Sequence, residues 1–99
     1  MTAVEQIPFI LKKHRKIDAS IIKSIGHPIR LKILTMLDTR ECNVKNIWEC
    51  LSLEQSVVSQ HLAVLKNSGI ISGRRRGVEM LYTIVDPLAQ RIIALLTRN

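Results

Sequence analysis

The polar face of a predicted helix over residues 55–67 carries the side chains of this chain that are best suited to contact another molecule. At 100° per residue, the apolar residues Val58, Leu62 and Leu65 fall on one stripe of this helix. The opposite face has short side chains, most of which donate and accept hydrogen bonds. Small polar groups let a helix approach base edges closely, and glutamine pairs with adenine at two positions. The candidate base-contacting residues are Gln55, Ser56, Ser59 and Gln60.

An ordinary amphipathic surface helix is the alternative interpretation of this segment, because its outer face would also be polar. Such faces are usually richer in glutamate and lysine than this one, which favours a face that contacts DNA. The boundaries of the helix are also clear from the sequence. Glu54 is placed as an acidic N-cap, and Gly69 is a suitable C′ residue just beyond the end.

Three consecutive arginines follow this helix in the order Gly73, Arg74, Arg75, Arg76, Gly77. Apolar segments flank them, so we predict a β-hairpin with the arginines at its tip and the glycines serving the turn. Three guanidinium groups at a loop tip cannot all be buried or neutralised there, and arginine suits phosphate or a narrow minor groove. A solvated charge run is the alternative. The predicted strands start at Ile70 and Ile71 and return with Leu81, Thr83 and Val85 on one face and Met80, Tyr82 and Ile84 on the other.

The elements that position these residues have recognisable start signals. Pro28 suits the first turn of one helix, and Asn43 caps the next, which a turn of about three residues joins to the helix at 55–67. The sequence therefore predicts a mainly α fold with a small β-hairpin wing, a winged helix-turn-helix in the order α-α-α-α-α-β-β-α. The predicted helices lie at about residues 4–14, 18–25, 28–37, 43–51, 55–67 and 87–97, with Asp18 as the N-cap of the second.

The charge of the chain agrees with a nucleic-acid partner. It has 99 residues, enough for one domain, and 15 lysines and arginines against 8 acidic residues give a net charge of +7. Only 3% of the residues are aromatic, so the stacking platforms that bind single strands are missing and double-stranded DNA is the expected partner. The longest apolar run, residues 92–96, is too short to span a bilayer, and the N-terminal charges follow the apolar part rather than precede it. We predict a soluble, cytoplasmic protein.

The two terminal helices are more apolar than one small domain requires. The last helix, at about 87–97, has one stripe of Leu88, Ile92 and Leu95 and an adjacent stripe of Ala89, Ile93 and Leu96. We predict a single domain over residues 1–99, with the first and last helices forming the interface of a homodimer that binds an inverted repeat. The alternative is that both helices pack only on their own core. The apolar residues of the first helix are Ile7, Phe9, Ile10 and Leu11.

Three segments together resemble the ArsR/SmtB family of bacterial repressors: SIGHPIRLKILTML, QSVVSQHLAVLKNSGII and RRRGVEMLY. The resemblance extends over roughly residues 18–97 without an obvious gap. It implies a dimeric winged-helix fold whose terminal helices form the interface, and repression of a promoter through an inverted repeat. By position, it also implies DNA contacts from the four polar residues of the 55–67 helix and from the three wing arginines.

The metal-sensing motifs of that family are absent from this chain. Arsenic-sensing members carry a motif like E-L-C-V-C-D-L, and in the equivalent residues 41–47 both ligand cysteines are replaced, by Asn43 and Lys45. Zinc-sensing members carry D-x-H on the last helix, where Asp86 is present but Leu88 occupies the histidine position. The histidines His14, His27 and His61 form no i,i+4 pair. We predict a member of the family that senses no metal and needs no cofactor.

The cysteines Cys42 and Cys50 leave one further hypothesis. With most of their separation helical, about 12 Å would divide them, so a disulfide within one chain is not expected. Cys50 is at a position expected for a core residue, whereas Cys42 is the candidate for a thiol switch. A redox-responsive repressor and a winged helix that binds protein instead of DNA are therefore the alternative functions. The acidic residues are scattered and form no catalytic constellation, so we predict that the chain is not an enzyme.

Overall fold

The computed structural model describes residues 19–98, which form five helices and one two-stranded antiparallel sheet. This is the predicted winged helix-turn-helix order without the first helix, because the prediction for residues 4–14 lies outside the described residues. Asp18, the predicted cap of the next helix, lies outside them as well. The elements are α1 (Ala19–Ile25), α2 (Pro28–Thr39), α3 (Val44–Leu51), α4 (Gln55–Asn67), β1 (Ile71–Arg76), β2 (Glu79–Ile84) and α5 (Pro87–Thr97).

The helix boundaries follow from local caps. Pro28 is the first residue of α2, and the helix extends past the predicted end at Leu37 to Thr39. The predicted cap Asn43 forms a capping box with Asn46, in which each side chain accepts a hydrogen bond from the other residue's backbone N–H. Glu54 has the N-cap position of α4, but its side chain makes no capping hydrogen bond, so that part of the prediction is wrong. Its backbone carbonyl instead accepts from the first turn of the helix.

One apolar core lies beneath α4 and joins all the helices. The predicted stripe of α4 is buried in full, and α5 packs with Ala89 and Ile93 against α1 and α2. In α3, Ile47 is fully buried, and Val44, Trp48 and Leu51 are half-buried. Each buried aliphatic side chain contributes about 1.5–3 kcal/mol to folding. The side chains at the centre of the core are Ile33, Leu34, Ile47, Val58, Leu65, Ile70 and Ile93.

The hairpin differs from the prediction in the position of its turn. The three arginines lie inside β1, and the turn consists of Gly77 and Val78, with Gly77 at a φ of 63°. Gly73 does not serve the turn. It lies opposite Tyr82 in the ladder, and a Cβ on Gly73 would be 2.9 Å from the sulfur of Met80. Periodicity alone could not distinguish a charged loop from a charged strand end, because both are exposed.

The returning strand ends one residue earlier than its predicted apolar pattern. β2 ends at Ile84, and Val85 is exposed beyond it, with its backbone N–H donating to the carbonyl of Ile70. An additional isolated bridge joins Cys42 to Tyr82 on the outer side of β2, through two backbone hydrogen bonds of 3.3 and 2.9 Å. The segment before α3 is therefore attached directly to the wing.

Candidate nucleic-acid interface

The exposed face of α4 carries all four residues that the sequence selected as base contacts. Gln55, Ser56, Ser59 and Gln60 are each exposed, while the apolar stripe of the same helix is buried. Their spacing places them in two adjacent rows, each of two residues four positions apart. Gln55 borders a cleft that it shares with Trp48 of α3 and with the wing. Ser59 borders a second cleft with Tyr82 of β2, so two of the four residues lie near the wing.

The short connection between α3 and α4 restricts the orientation of one helix relative to the other. Its three residues are 52–54, as predicted, and Ser52 adopts the left-handed conformation with a φ of 55°. The backbone N–H of Leu53 donates to the carbonyl of Trp48 at 3.0 Å, which closes the end of α3. A short turn with satisfied backbone groups lets α3 support α4 as a helix-turn-helix pair.

The three wing arginines differ in whether they form an ion pair. Arg74 donates two hydrogen bonds to Glu41, from Nε to Oε2 and from Nη2 to Oε1, each 2.7 Å long. The hydrogen bond from Arg74 holds the pKa of the Glu41 carboxyl below its ordinary value. Arg75 and Arg76 are exposed, and within the described part of the chain neither forms an ion pair. The sequence could not reveal this difference, because the partner is 33 positions away.

Similarity to known proteins shows the family of this chain. A model described as "Bacterial regulatory protein, arsR family" matches residues 27–72. The transcriptional repressor PagR of Bacillus anthracis is 40% identical over 80 residues, which are 80% of this chain and 80% of PagR. The crystal structure of PagR matches with a TM-score of 0.75, covering 80% of this chain and 91% of that one. The chain belongs to the ArsR family.

Two further ArsR-type structures resemble the chain over most of its length. Reduced HlyU from Vibrio cholerae N16961 is 32% identical with a TM-score of 0.82, covering 89% of this chain and 93% of HlyU. The homodimeric winged helix-turn-helix DNA-binding domain Mb0332 from Mycobacterium bovis is 25% identical with a TM-score of 0.73, covering 97% of this chain and 83% of that one. As an ArsR-family member, the chain is a DNA-binding transcriptional repressor, and the family consists of regulators rather than enzymes.

The four positions that correspond to the two ArsR metal motifs have other surroundings in this structure. Asn43 caps α3. Lys45 is exposed, and its Nζ lies 3.9 Å from Oε1 of Glu49. Asp86 caps α5 by accepting a hydrogen bond from the backbone N–H of Ala89 at 2.8 Å, and Leu88 is exposed. Among residues 19–98, no group of three or more histidine, cysteine or acidic side chains could hold a metal ion. The described helices include none that is long and apolar enough to cross a bilayer.

The predicted core position of Cys50 in this ArsR-family chain is wrong. Cys50 is exposed on α3, because the core face of this short helix is centred on Ile47. Cys42, the predicted thiol switch, is only 1% exposed, and its Sγ lies 3.6 Å from the carbonyl oxygen of Arg40. Both thiols are free. A buried thiol reacts slowly with oxidants, so the geometry offers Cys42 little access.

A histidine pair between α2 and α4 is a feature that the sequence reasoning missed. The rings of His27 and His61 have centroids 4.4 Å apart, and Nη1 of Arg30 lies 3.2 Å from Nδ1 of His61. His27 is the N-cap of α2, since its Nδ1 accepts a hydrogen bond from the backbone N–H of Ile29 at 3.1 Å. A hydrogen-bonding side chain directly before Pro28 was the available signal for this cap.

This pair predicts an acid-sensitive stability. Burial, followed by the proximity of His27 and Arg30, lowers the pKa of His61. The folded protein therefore binds this proton less readily than the unfolded chain, and stability is lost as the pH falls below about 6.5 towards the lowered value. We expect the melting temperature to fall by a few degrees between pH 7.5 and 5.5, and to fall less in His61→Gln. Equal pH slopes in the two proteins, measured by circular dichroism, would contradict this assignment.

Proposed function

We propose that the chain represses transcription as a homodimer that binds an inverted-repeat operator without a metal ion. The observation that carries this proposal is the exposed polar face of α4 beside a wing with two unpaired arginines. Glutamine and serine side chains on a groove-binding helix suit base edges, and arginine on a wing suits phosphate oxygens. We assign base contacts to Gln55, Ser56, Ser59 and Gln60, and phosphate contacts to Arg75 and Arg76, whereas Arg74 is held by Glu41.

The exposed apolar face of α5 supports the dimer. In the isolated protomer Leu95 is 79% exposed and Leu96 is 62% exposed, and Leu88 is exposed as well. Leucines at this density on one helix favour burial against a second surface. A two-fold axis beside α5 would cover them and would present two copies of α4 to successive half-sites. The homodimeric Mb0332 domain, which has the same fold, supports this arrangement, and the predicted helix at 4–14 would complete the interface.

Metal-free action is proposed because the candidate ligand positions are occupied by residues with structural roles. Asn43 and Asp86 are both helix caps, and a lysine ammonium at position 45 would repel a cation. Repression would then depend on the abundance of the protein, on competing DNA-binding proteins, or on thiol chemistry. Since a repressor has to reach the DNA of its cell, we place this activity in the cytoplasm.

Capture of genomic DNA tests this proposal directly. The purified protein is incubated with sheared DNA of its host in chelator and reductant, and the bound fragments are sequenced. We expect enrichment of one inverted repeat, because a symmetric dimer places two identical reading helices on two half-sites. Enrichment only after a metal ion is added would contradict the metal-free part, and enrichment only after an oxidant is added would favour the redox-responsive alternative. Enrichment of a single half-site would contradict the dimer.

A further inference from the structure

The ion pair between Glu41 and Arg74 joins two parts of the fold that are distant in sequence. Glu41 lies in the short segment between α2 and α3, and Arg74 lies in β1 of the wing. The two parallel hydrogen bonds, both 2.7 Å long, form a bidentate contact. Such a contact fixes the direction of the guanidinium group as well as balancing its charge. The pair is therefore suited to hold an orientation.

Glu41 is itself held on a rigid base. The next residue, Cys42, is buried and is paired with Tyr82 of β2 through both backbone hydrogen bonds. The residue after that, Asn43, is the cap of α3, which packs against α4, the proposed recognition helix. Two residues thus separate the carboxylate from the helix-turn-helix. Movement of Glu41 relative to α3 would disturb the backbone hydrogen bonds of Cys42 and the capping box of Asn43.

Arg74 occupies the matching position in the wing. It lies opposite Leu81 in the ladder, next to Gly73, over which Met80 and Tyr82 pack closely. Because side chains alternate along a strand, Arg74 and Arg76 extend from one face and Arg75 from the other. The proximity of Arg76 also contributes to the lowered pKa of the Glu41 carboxyl. The base of the wing is therefore held at Arg74, while the two arginines nearer the turn remain available.

We propose that Glu41 is a positioning residue for DNA binding, which sets the angle of the wing relative to α4 by holding Arg74. In this assignment Arg74 acts through Glu41, and Arg75 and Arg76 contact phosphates. The assignment deepens the proposed function and rests on it for its DNA-binding readout. It revises the sequence prediction, in which the three arginines had the same role.

A positioning role and simple electrostatics predict opposite effects on DNA affinity when Glu41 is removed. Glu41 places a negative charge near a surface that approaches a polyanion, so removing it should strengthen binding if charge alone mattered. The same result is expected if Glu41 merely competes with phosphate for Arg74. A positioning role predicts the opposite result, because an unrestrained wing loses its phosphate contacts. Both the affinity and its salt dependence then fall.

The test measures binding of the full chain to a 24-base-pair duplex of arbitrary sequence between about 50 and 200 mM salt, a range in which phosphate contacts dominate affinity. We expect Glu41→Ala to bind about tenfold more weakly and to lose about one to two units of salt slope, like Arg75→Ala and Arg76→Ala. Arg74→Ala should match Glu41→Ala, and the double variant should be no weaker than either. Glu79→Gln, which removes an exposed carboxylate from β2, is the matched control and should not weaken binding.

Tighter binding or a steeper slope for Glu41→Ala would overturn the proposal, as would additive losses in the double variant. If the wild-type protein did not bind duplex DNA, the proposed function would fail. Whether Glu41 restrains the wing would still be decided by hydrogen exchange of the Cys42 and Tyr82 backbone amides. Faster exchange in Glu41→Ala at an unchanged melting temperature supports it, and unchanged exchange overturns it.

Discussion

Replacing Leu95 and Leu96 by glutamate is expected to produce a folded monomer that no longer binds its operator tightly. Both side chains are largely exposed in the protomer, so the substitutions leave the core of the domain intact. In the dimer each of these two positions occurs once in each protomer, so four leucines would be buried at the interface. At about 1.5 kcal/mol for each of the four leucines lost from the interface, the dimer dissociation constant should rise by about 10⁴-fold. Analytical ultracentrifugation measures this rise.

The operator affinity of this variant should also fall. Two linked reading helices gain about 10²–10⁴ in avidity over one helix, and a monomer loses that gain. Lys32→Glu is the matched control, because it changes the net charge by the same two units at an exposed residue of α2. It should remain dimeric. If Leu95→Glu/Leu96→Glu remained dimeric at micromolar concentration, the interface would lie elsewhere on the protomer.

Replacing Ser59 and Gln60 by alanine is expected to relax sequence preference while leaving general DNA affinity intact. Both side chains are exposed on α4, and their loss leaves base-edge groups without partners. The cost at the cognate site should be about 1–3 kcal/mol for each specific contact removed, while the salt slope stays unchanged because no phosphate contact is lost. Fluorescence anisotropy with the operator and with an unrelated duplex measures both effects.

Asn67→Ala provides the control for this experiment. Asn67 is the last residue of the same helix and is equally exposed, but reading helices make most of their base contacts near the N-terminal end. This variant should keep its discrimination between operator and unrelated duplex. Equal losses on both duplexes for Ser59→Ala/Gln60→Ala would mean that these side chains act on the DNA backbone and not on the bases.

The reading helix shows how far local sequence determines structure. Its start at Gln55, its end before Gly69 and its buried stripe were all predicted correctly. The last helix was predicted with its bounds at Pro87 and Thr97. These features depend on side-chain periodicity and on caps within a few residues, so the information lies in the segment itself. The turn of the hairpin was predicted less well, because Gly73 and Gly77 look alike in sequence and only Gly77 has a positive φ.

The sequence by itself therefore determined the order of the elements, the polar face of α4 and the basic character of the wing. Only the tertiary structure decided which arginine is already paired, which cysteine is buried and that His27 lies beside His61. Each of these depends on a partner 31 or more positions away or on which side of α3 faces the core. Such contacts arise when separate elements pack together, and no local pattern of residues specifies them.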